Sequence, residues 1–237
     1  MKYVWRLTVY FAIFLLTSSV GYVFAARFIP VTITPLKIVK LFLNHPETSL
    51  RVRSEWTALR NISPSLPHAV ISTEDNFFMT HRGFDWDAIR KAIEYNKRGK
   101  KIRGASTISQ QTAKNVFCYP SRTWTRKAVE AYYTFLIESL WSKRRIMEVY
   151  LNVIETGPNV YGACAAAKIY FKKKPSELSI HDCSLIATVL PNPIRMKLSA
   201  PSNYMLRRAA QVRGLMRNIE KPELYENPRP DERKPKK

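Results

Sequence analysis

Cysteine is scarce, with three in 237 residues. Cys118, Cys164 and Cys183 make no disulfide framework. No Cys-x-x-Cys or His-rich spacing suggests zinc. Cys164 and Cys183 lie in stretches rich in Ala, Leu and Ile, which marks them as buried free thiols. Acidic residues are also short: 18 Asp and Glu stand against 39 Lys and Arg, a formal net charge of +21. That imbalance calls for an anionic partner, and nucleic acid, anionic lipid and a phosphorylated substrate all qualify. No zinc-finger or RNP-like motif supports nucleic acid. No internal repeat is visible, and no long stretch alternates with period two. The expected fold is therefore mainly α.

What the chain does have begins at its N-terminus. Leu7 to Ala26 carries no charge and is long enough to cross a bilayer as a helix. Lys2 and Arg6 precede it, so the start is expected in the cytoplasm and the rest outside. A cleaved signal peptide is the rival, with Val23-Phe24-Ala25 as its cleavage site. The apolar run exceeds the usual signal core and favours an anchor. The expected organisation is an anchor over 1–27, a connecting region over 28–54, a domain over 55–220 and a disordered tail over 221–237, rich in Pro and charge.

In the connecting region, Val31-Thr32-Ile33-Thr34 reads as a short extended piece. Pro64 and Pro67 open a helix that places Val70, Glu74, Phe77 and Phe78 on one face. Asp85 caps a helix to about Asn96, ended by Gly99, and 96–103 forms a mobile loop. A long helical stretch from Thr125 to Asn152 breaks at Ser142-Lys143-Arg144-Arg145. Tyr132, Tyr133, Phe135 and Trp141 read as core. Lys143-Arg144-Arg145 and Lys172-Lys173-Lys174 read as solvated faces or headgroup contacts. Further helices are expected over Tyr161–Tyr170, Ser179–Leu190 (with Ser179 and Asp182 in a capping box) and Asn203–Glu220.

Two blocks carry chemistry. Glu74 puts a carboxylate on an apolar stripe, where desolvation raises its pKa and suits it to proton transfer. Ser106 to Asn115 reads as a short polar helix capped by Ser106, with Thr107, Gln110 and Lys114 along one side. Its hydrogen-bonding groups point to a binding role. His81 reads as the organiser of the turn at Gly83.

Five blocks in order resemble the glycosyltransferase family that polymerises bacterial peptidoglycan, in its monofunctional, membrane-anchored form. They are Glu74-Asp75-x-x-Phe78-x-x-His81-x-Gly83 and Gly104-x-Ser106-Thr107-Ile108-x-Gln110-Gln111-x-x-Lys114-Asn115, then Arg126-Lys127-x-x-Glu130, Ile146-x-Glu148-x-Tyr150-Leu151-Asn152 and Arg207-Arg208. No penicillin-binding domain is expected to follow. The resemblance implies a lysozyme-like fold and lipid II as substrate, with lipid II and the growing glycan strand as partners. It makes Glu74 the base that deprotonates the acceptor's 4-hydroxyl and Glu130 a second essential carboxylate. Lys114 and Arg122 match phosphate-contacting positions, and Ser106, Thr107, Gln110, Gln111 and Asn115 match a polar cleft. Arg126 and Lys127 join the substrate-binding set, and Arg126 stands four residues before Glu130, a helical ion-pair spacing. For Glu130 a plain ion pair is the bland alternative, and for Arg207 and Arg208 structural pairing stands level with substrate contact. A divalent cation, Mg or Mn, is allowed, with no identified metal ligands and no organic cofactor. The implied setting is the cytoplasmic (inner) membrane, with the catalytic domain on its outer, periplasmic side and cell-wall synthesis or division proteins as partners. Ala105 departs from the family where many members have a second glycine. Val129 stands where some carry a basic residue, a phosphate contact that Lys127 or a metal would have to replace.

Three other readings compete. A glycan-cleaving enzyme of similar fold would need a protonated acid at the scissile oxygen, and the cations around Lys114 and Arg122 fit a phosphorylated donor better. A membrane-tethered nucleic-acid binder lacks a motif. A silent scaffold is disfavoured by intact Glu74 and Glu130.

Overall fold

The computed structural model describes residues 1–43, 52–97, 99, 104–121 and 123–225. Helices dominate among them, as expected. The first, α1 (Lys2–Ala25), is 24 residues long. At ~1.5 Å per residue it is longer than the ~30 Å hydrocarbon core of a bilayer. Tyr3, Trp5, Leu7, Phe11, Phe14 and Leu16 stand exposed along it, and burial begins only near its C-terminal end, at Val23 and Ala26. There the Trp141 indole N–H donates to the Val23 carbonyl at 2.8 Å, and Ser19 meets the Tyr132 hydroxyl at 2.7 Å. Arg145 donates to the carbonyls of Ala26 (2.9 Å) and Ile29, satisfying backbone acceptors where the helix gives out.

Residues 31–34 form no strand. They lead instead into α2 (Pro35–Leu43), a helix absent from the sequence expectation. α3 (Ser65–Glu74) opens near Pro64 as expected but stops at Glu74. Asp75 leaves helical geometry, at φ −163°, because its carboxylate turns to other partners. The expected stripe therefore splits: Phe78 turns into the core, and Phe77 stays exposed. α4 (Trp86–Lys97) follows, with the Asp85 carboxylate accepting from the Ala88 N–H at 2.8 Å. Gly99 sits at φ +69° just beyond it, and most of the expected mobile loop lies outside the described residues.

α5 (Ile108–Phe117) packs against α6 (Trp124–Leu140) and α7 (Lys143–Val153). The break between α6 and α7 falls where expected, at Ser142, whose hydroxyl accepts from the Arg145 N–H at 3.2 Å. Phe135 is exposed and Tyr132 borders on exposed, because they lie on the outer face of α6, while Trp141 is buried. α7 is buried through Ile146, Met147, Val149, Tyr150 and Leu151, each at most 1% exposed. Its polar residues tie down the chain before α3. Glu148 accepts from the Leu59 N–H at 2.9 Å, and Asn152 makes a paired contact with the backbone of Thr57, at 2.8 and 2.9 Å. The two basic runs are not simply solvated. Lys143 pairs with Glu138, Arg145 with Glu148 and Lys173 with Asp182.

A small sheet joins β1 (Arg53–Ser54), β2 (Glu155–Gly157) and β3 (Val160–Tyr161), with β3 in the middle, parallel to β1 and antiparallel to β2. The helix expected over 161–170 is a short α8 (Gly162–Ala166) that widens into a π turn over Ala167–Phe171. Gly162 is required there: it sits at φ +83°, and a Cβ would lie 2.8 Å from the Asn152 carbonyl oxygen. α9 (Ile180–Val189) carries the expected Ser179–Asp182 capping box, and α10 (Asn203–Asn218) is capped by Ser202. α3, α9 and α10 pack together, burying Leu66, Val70, Cys183, Ile186 and Val212 in the same core cluster as the α7 side chains. Each such aliphatic side chain contributes about 1.5–3 kcal/mol by leaving water. The three cysteines are free and buried. The chain stays packed past Lys221: Leu224 is buried, and the Tyr225 hydroxyl donates to the Ile62 carbonyl. The rest of the expected tail lies outside the described residues.

Candidate active site

Glu74 ends α3 half-buried on the wall of a pocket of about 430 Å³. Gly104, Ala105, Ser106, Thr107 and the acidic side chains of Asp75, Asp85 and Asp87 also line it. Burial pushes the Glu74 carboxyl above its usual range. The Gln111 amide donates to Oε2 at 2.9 Å and opposes that shift, neighbouring Asp75 reinforces it, and Lys114 and Arg208 pull the other way. The helix that was expected to desolvate Glu74 ends at this residue. The desolvation survives because α5 covers it from the side.

Asp75 organises the turn. It is buried, and its carboxylate takes the His81 Nε2–H at 2.9 Å and the Ile108 N–H at 2.9 Å. His81 Nδ1 accepts from the Gly83 N–H at 3.0 Å, so the proton of a neutral ring sits on Nε2. Gly83 stands at φ +90°, with the site of a Cβ only 2.9 Å from Thr134 Cγ2. Its carbonyl accepts the Thr107 hydroxyl at 2.7 Å. Asp75 thus feeds a negative charge to the N-terminus of α5 and holds it against the turn that carries Glu74.

The cap of α5 is Thr107, one residue later than expected. Thr107 and Gln110 form a capping box and are buried. Their polar groups are engaged within the protein. Ser109 and Thr112 are also fully buried, Ser109 donating to Glu138 and Thr112 to the Ile108 carbonyl at 2.8 Å. α5 is thus a core helix whose polarity is internally satisfied, with Gln111, Lys114 and Asn115 turned to the cleft. Ser106 stays exposed on the pocket wall.

A second pocket of about 580 Å³ is lined by Lys114, Asn115, Cys118 and Arg126, with Leu36, Tyr119, Leu190, Pro191 and Pro193 supplying much of its apolar wall. Lys114 is exposed, yet desolvation in the cleft lowers its pKa; Glu130 raises it, and Arg126 and Lys127 lower it further. Glu130 is 2% exposed and accepts from Arg126 at 2.5 Å and from Lys127. Val129, where the resemblance left a phosphate contact to be replaced, is exposed, and Lys127 supplies a second cation to Glu130. Arg122 lies outside the described residues.

The geometry therefore brings Glu74 and Gln111 together, and separately clusters Lys114, Arg126, Lys127 and Glu130. It adds two residues to the surroundings of Glu74. Arg208 bears on it electrostatically, and Tyr150, on α7, donates its hydroxyl to Gln111 at 3.2 Å. In the sequence Tyr150 stood in the block Ile146-x-Glu148-x-Tyr150-Leu151-Asn152, with nothing there to tie its hydroxyl to Gln111. Among the described residues, no group of three or more His, Cys, Asp or Glu side chains converges as a metal site.

Comparison with known proteins follows the same lines. The family model described as Transglycosylase matches residues 43–217. A protein of Bdellovibrio bacteriovorus named biosynthetic peptidoglycan transglycosylase is 51% identical over 196 residues, covering 82% of this chain and 78% of the relative. Proteins of the same name from Shewanella oneidensis and Bacteroides thetaiotaomicron are 52% and 48% identical, over 73% and 88% of this chain and 75% and 85% of their own lengths. A match of that extent, running through the segments that carry Glu74, α5 and Glu130, means that the chain belongs to the transglycosylase family.

Proposed function

We propose that this chain is a peptidoglycan glycosyltransferase that polymerises lipid II into glycan strands, with inversion at the donor's anomeric carbon and release of the lipid pyrophosphate. The observation that carries the reading is Glu74, a half-buried carboxylate of raised pKa on a pocket wall, held among the described residues by one amide and no cation in direct contact. Its raised pKa makes it a stronger base than an ordinary carboxylate. In this reading Glu74 removes the proton of the acceptor's 4-hydroxyl as its oxygen bonds to the donor anomeric carbon. The bond from that carbon to the pyrophosphate oxygen breaks, and its electron pair leaves with the phosphate. Charge grows on the leaving group, so fixed cations stabilise the transition state more than the ground state. Lys114 and Arg126 line the second pocket for that role, and Arg122 joins them by family resemblance. Glu130 acts through Arg126 and Lys127, which it holds in place. The described residues offer no cluster suited to a resident Mg or Mn ion, so no step is assigned to one.

A raised Glu74 pKa would also suit the acid of a glycan-cleaving enzyme. The cationic wall of the second pocket favours a phosphorylated donor. α1 supports a single-pass anchor, with Lys2 and Arg6 on the cytoplasmic side and the domain at the outer face of the cytoplasmic membrane. Lipid II, the growing strand, the membrane, and cell-wall synthesis or division proteins are the proposed partners. The test is incubation of the full-length protein with lipid II in detergent. A ladder of lengthening glycan is expected from the wild type and none from Glu74→Gln. Cleavage of preformed glycan without a ladder would overturn the reading.

A further inference from the structure

Gln111 faces two ways. Its Nε2 donates to Glu74 Oε2 at 2.9 Å, and its Oε1 accepts from the Tyr150 hydroxyl at 3.2 Å. A side-chain amide is nearly symmetric in shape, so only its partners decide which end carries the donor. Glu74 alone holds the amide weakly. When a carboxylate becomes protonated it can itself donate, and a flipped amide presenting its carbonyl would then fit as well. Tyr150 removes that freedom. It is wholly buried on α7, with its ring fixed among core side chains. Burial, with Glu74 and Asp75 nearby, raises its pKa well above the usual value, so the phenol remains a neutral donor.

We propose that Tyr150 is a positioning residue that acts through Gln111: its hydroxyl locks the amide with the NH2 end toward Glu74. This rests on the reading of Glu74 as the base. The lock matters because the amide donation favours the charged carboxylate, whereas a carbonyl in the same place would disfavour it. Tyr150 therefore sets the lower edge of the pH range in which the base is deprotonated. It also links α7 to α3 through α5, so the base is held by two helices besides its own.

Tyr150→Phe keeps the ring and removes only the donor. Lipid II turnover by the full-length protein is measured between about pH 5 and pH 9, a window chosen around the range where a raised carboxyl titrates. The expected result is an acid limb moved upward by about one pH unit, the scale of one hydrogen bond to a charged group. Turnover well above the limb and the melting temperature change little. In a Gln111→Ala background the same substitution moves the limb no further, because no amide remains to orient. 4-Aminophenylalanine at position 150 retains a donor and returns the limb toward wild type. An unmoved limb in folded Tyr150→Phe would overturn the proposal. So would a shift that persists without Gln111, or an aminophenylalanine variant that behaves as Phe. Failure of the underlying reading looks different: Glu74→Gln would then retain turnover at every pH.

Discussion

Glu74 and Glu130 are two carboxylates that both bear on Lys114, and the fold treats them oppositely. Glu130 is nearly inaccessible, and its oxygens are taken by Arg126 and Lys127. Glu74 is half-buried but receives, among the described residues, a single neutral amide, with Lys114 and Arg208 acting as more distant charges. A buried charge with close counter-ions is a structural element that holds those counter-ions. A buried charge left underpaired stays basic and keeps an oxygen available for chemistry.

The largest effect expected is on Glu74→Gln, where turnover falls by about a thousandfold with the loss of general-base catalysis. Its stability should move the other way. The folded pKa of Glu74 lies above its unfolded value, so the carboxyl favours folding most below the unfolded pKa and loses that contribution as pH rises through the folded one. At neutral pH the variant therefore melts at or above wild type, and the advantage shrinks in acid. A variant that melts far below wild type at pH 7 would erase the contrast with Glu130.

Lys114→Ala comes next, with turnover down about a hundredfold through loss of charge stabilisation on the leaving group. Little change in melting is expected, because Lys114 is exposed. Normal turnover on lipid II would remove Lys114 from the cation wall. Glu130→Gln should cost about 2 kcal/mol in denaturant unfolding. That is below the full figure for a broken buried pair, since Lys127 is partly solvated. Turnover should drop about tenfold as Arg126 loses its fixed position, a moderate positional effect. A Glu130→Gln protein as stable as wild type would show that the two carboxylates are not so different. The smallest effect belongs to Lys127→Ala. Arg126 still holds Glu130, so the loss in unfolding free energy stays under about 1 kcal/mol.

Much of the site was readable where chemistry and local geometry coincide. The apolar, charge-free run of α1, the caps at Asp85 and Ser179, the helix break at Ser142, and the i, i+4 spacing of Arg126 and Glu130 depend on neighbours within a few residues. α5 was legible only in part, for the opposite reason: Lys114 and Asn115 do line a pocket and Gln111 meets Glu74, but much of its polarity lies elsewhere. A short polar helix reads as a binding face, but Ser109, Thr112, Thr107 and Gln110 are buried and satisfied by α5 itself, Glu138 on α6 and the turn at Gly83. α2 was missed because its residues lie in a Pro-punctuated stretch, and its helix docks against α5, far along the chain.

The sequence by itself determined which residues carry the charges, where an apolar helix long enough for a membrane lies, and where most helices begin, because capping, length and charge act over one or two turns. The tertiary structure alone decided what surrounds Glu74. The fold brings Asp75 to the head of α5, Gln111 to Glu74 and Tyr150 to Gln111 across separations of 33, 37 and 39 residues. Desolvation and hydrogen-bond direction depend on what surrounds a group in space, so the raised pKa of Glu74, unlike the pairing of Glu130 within its own helix, arises only once those distant segments are packed together.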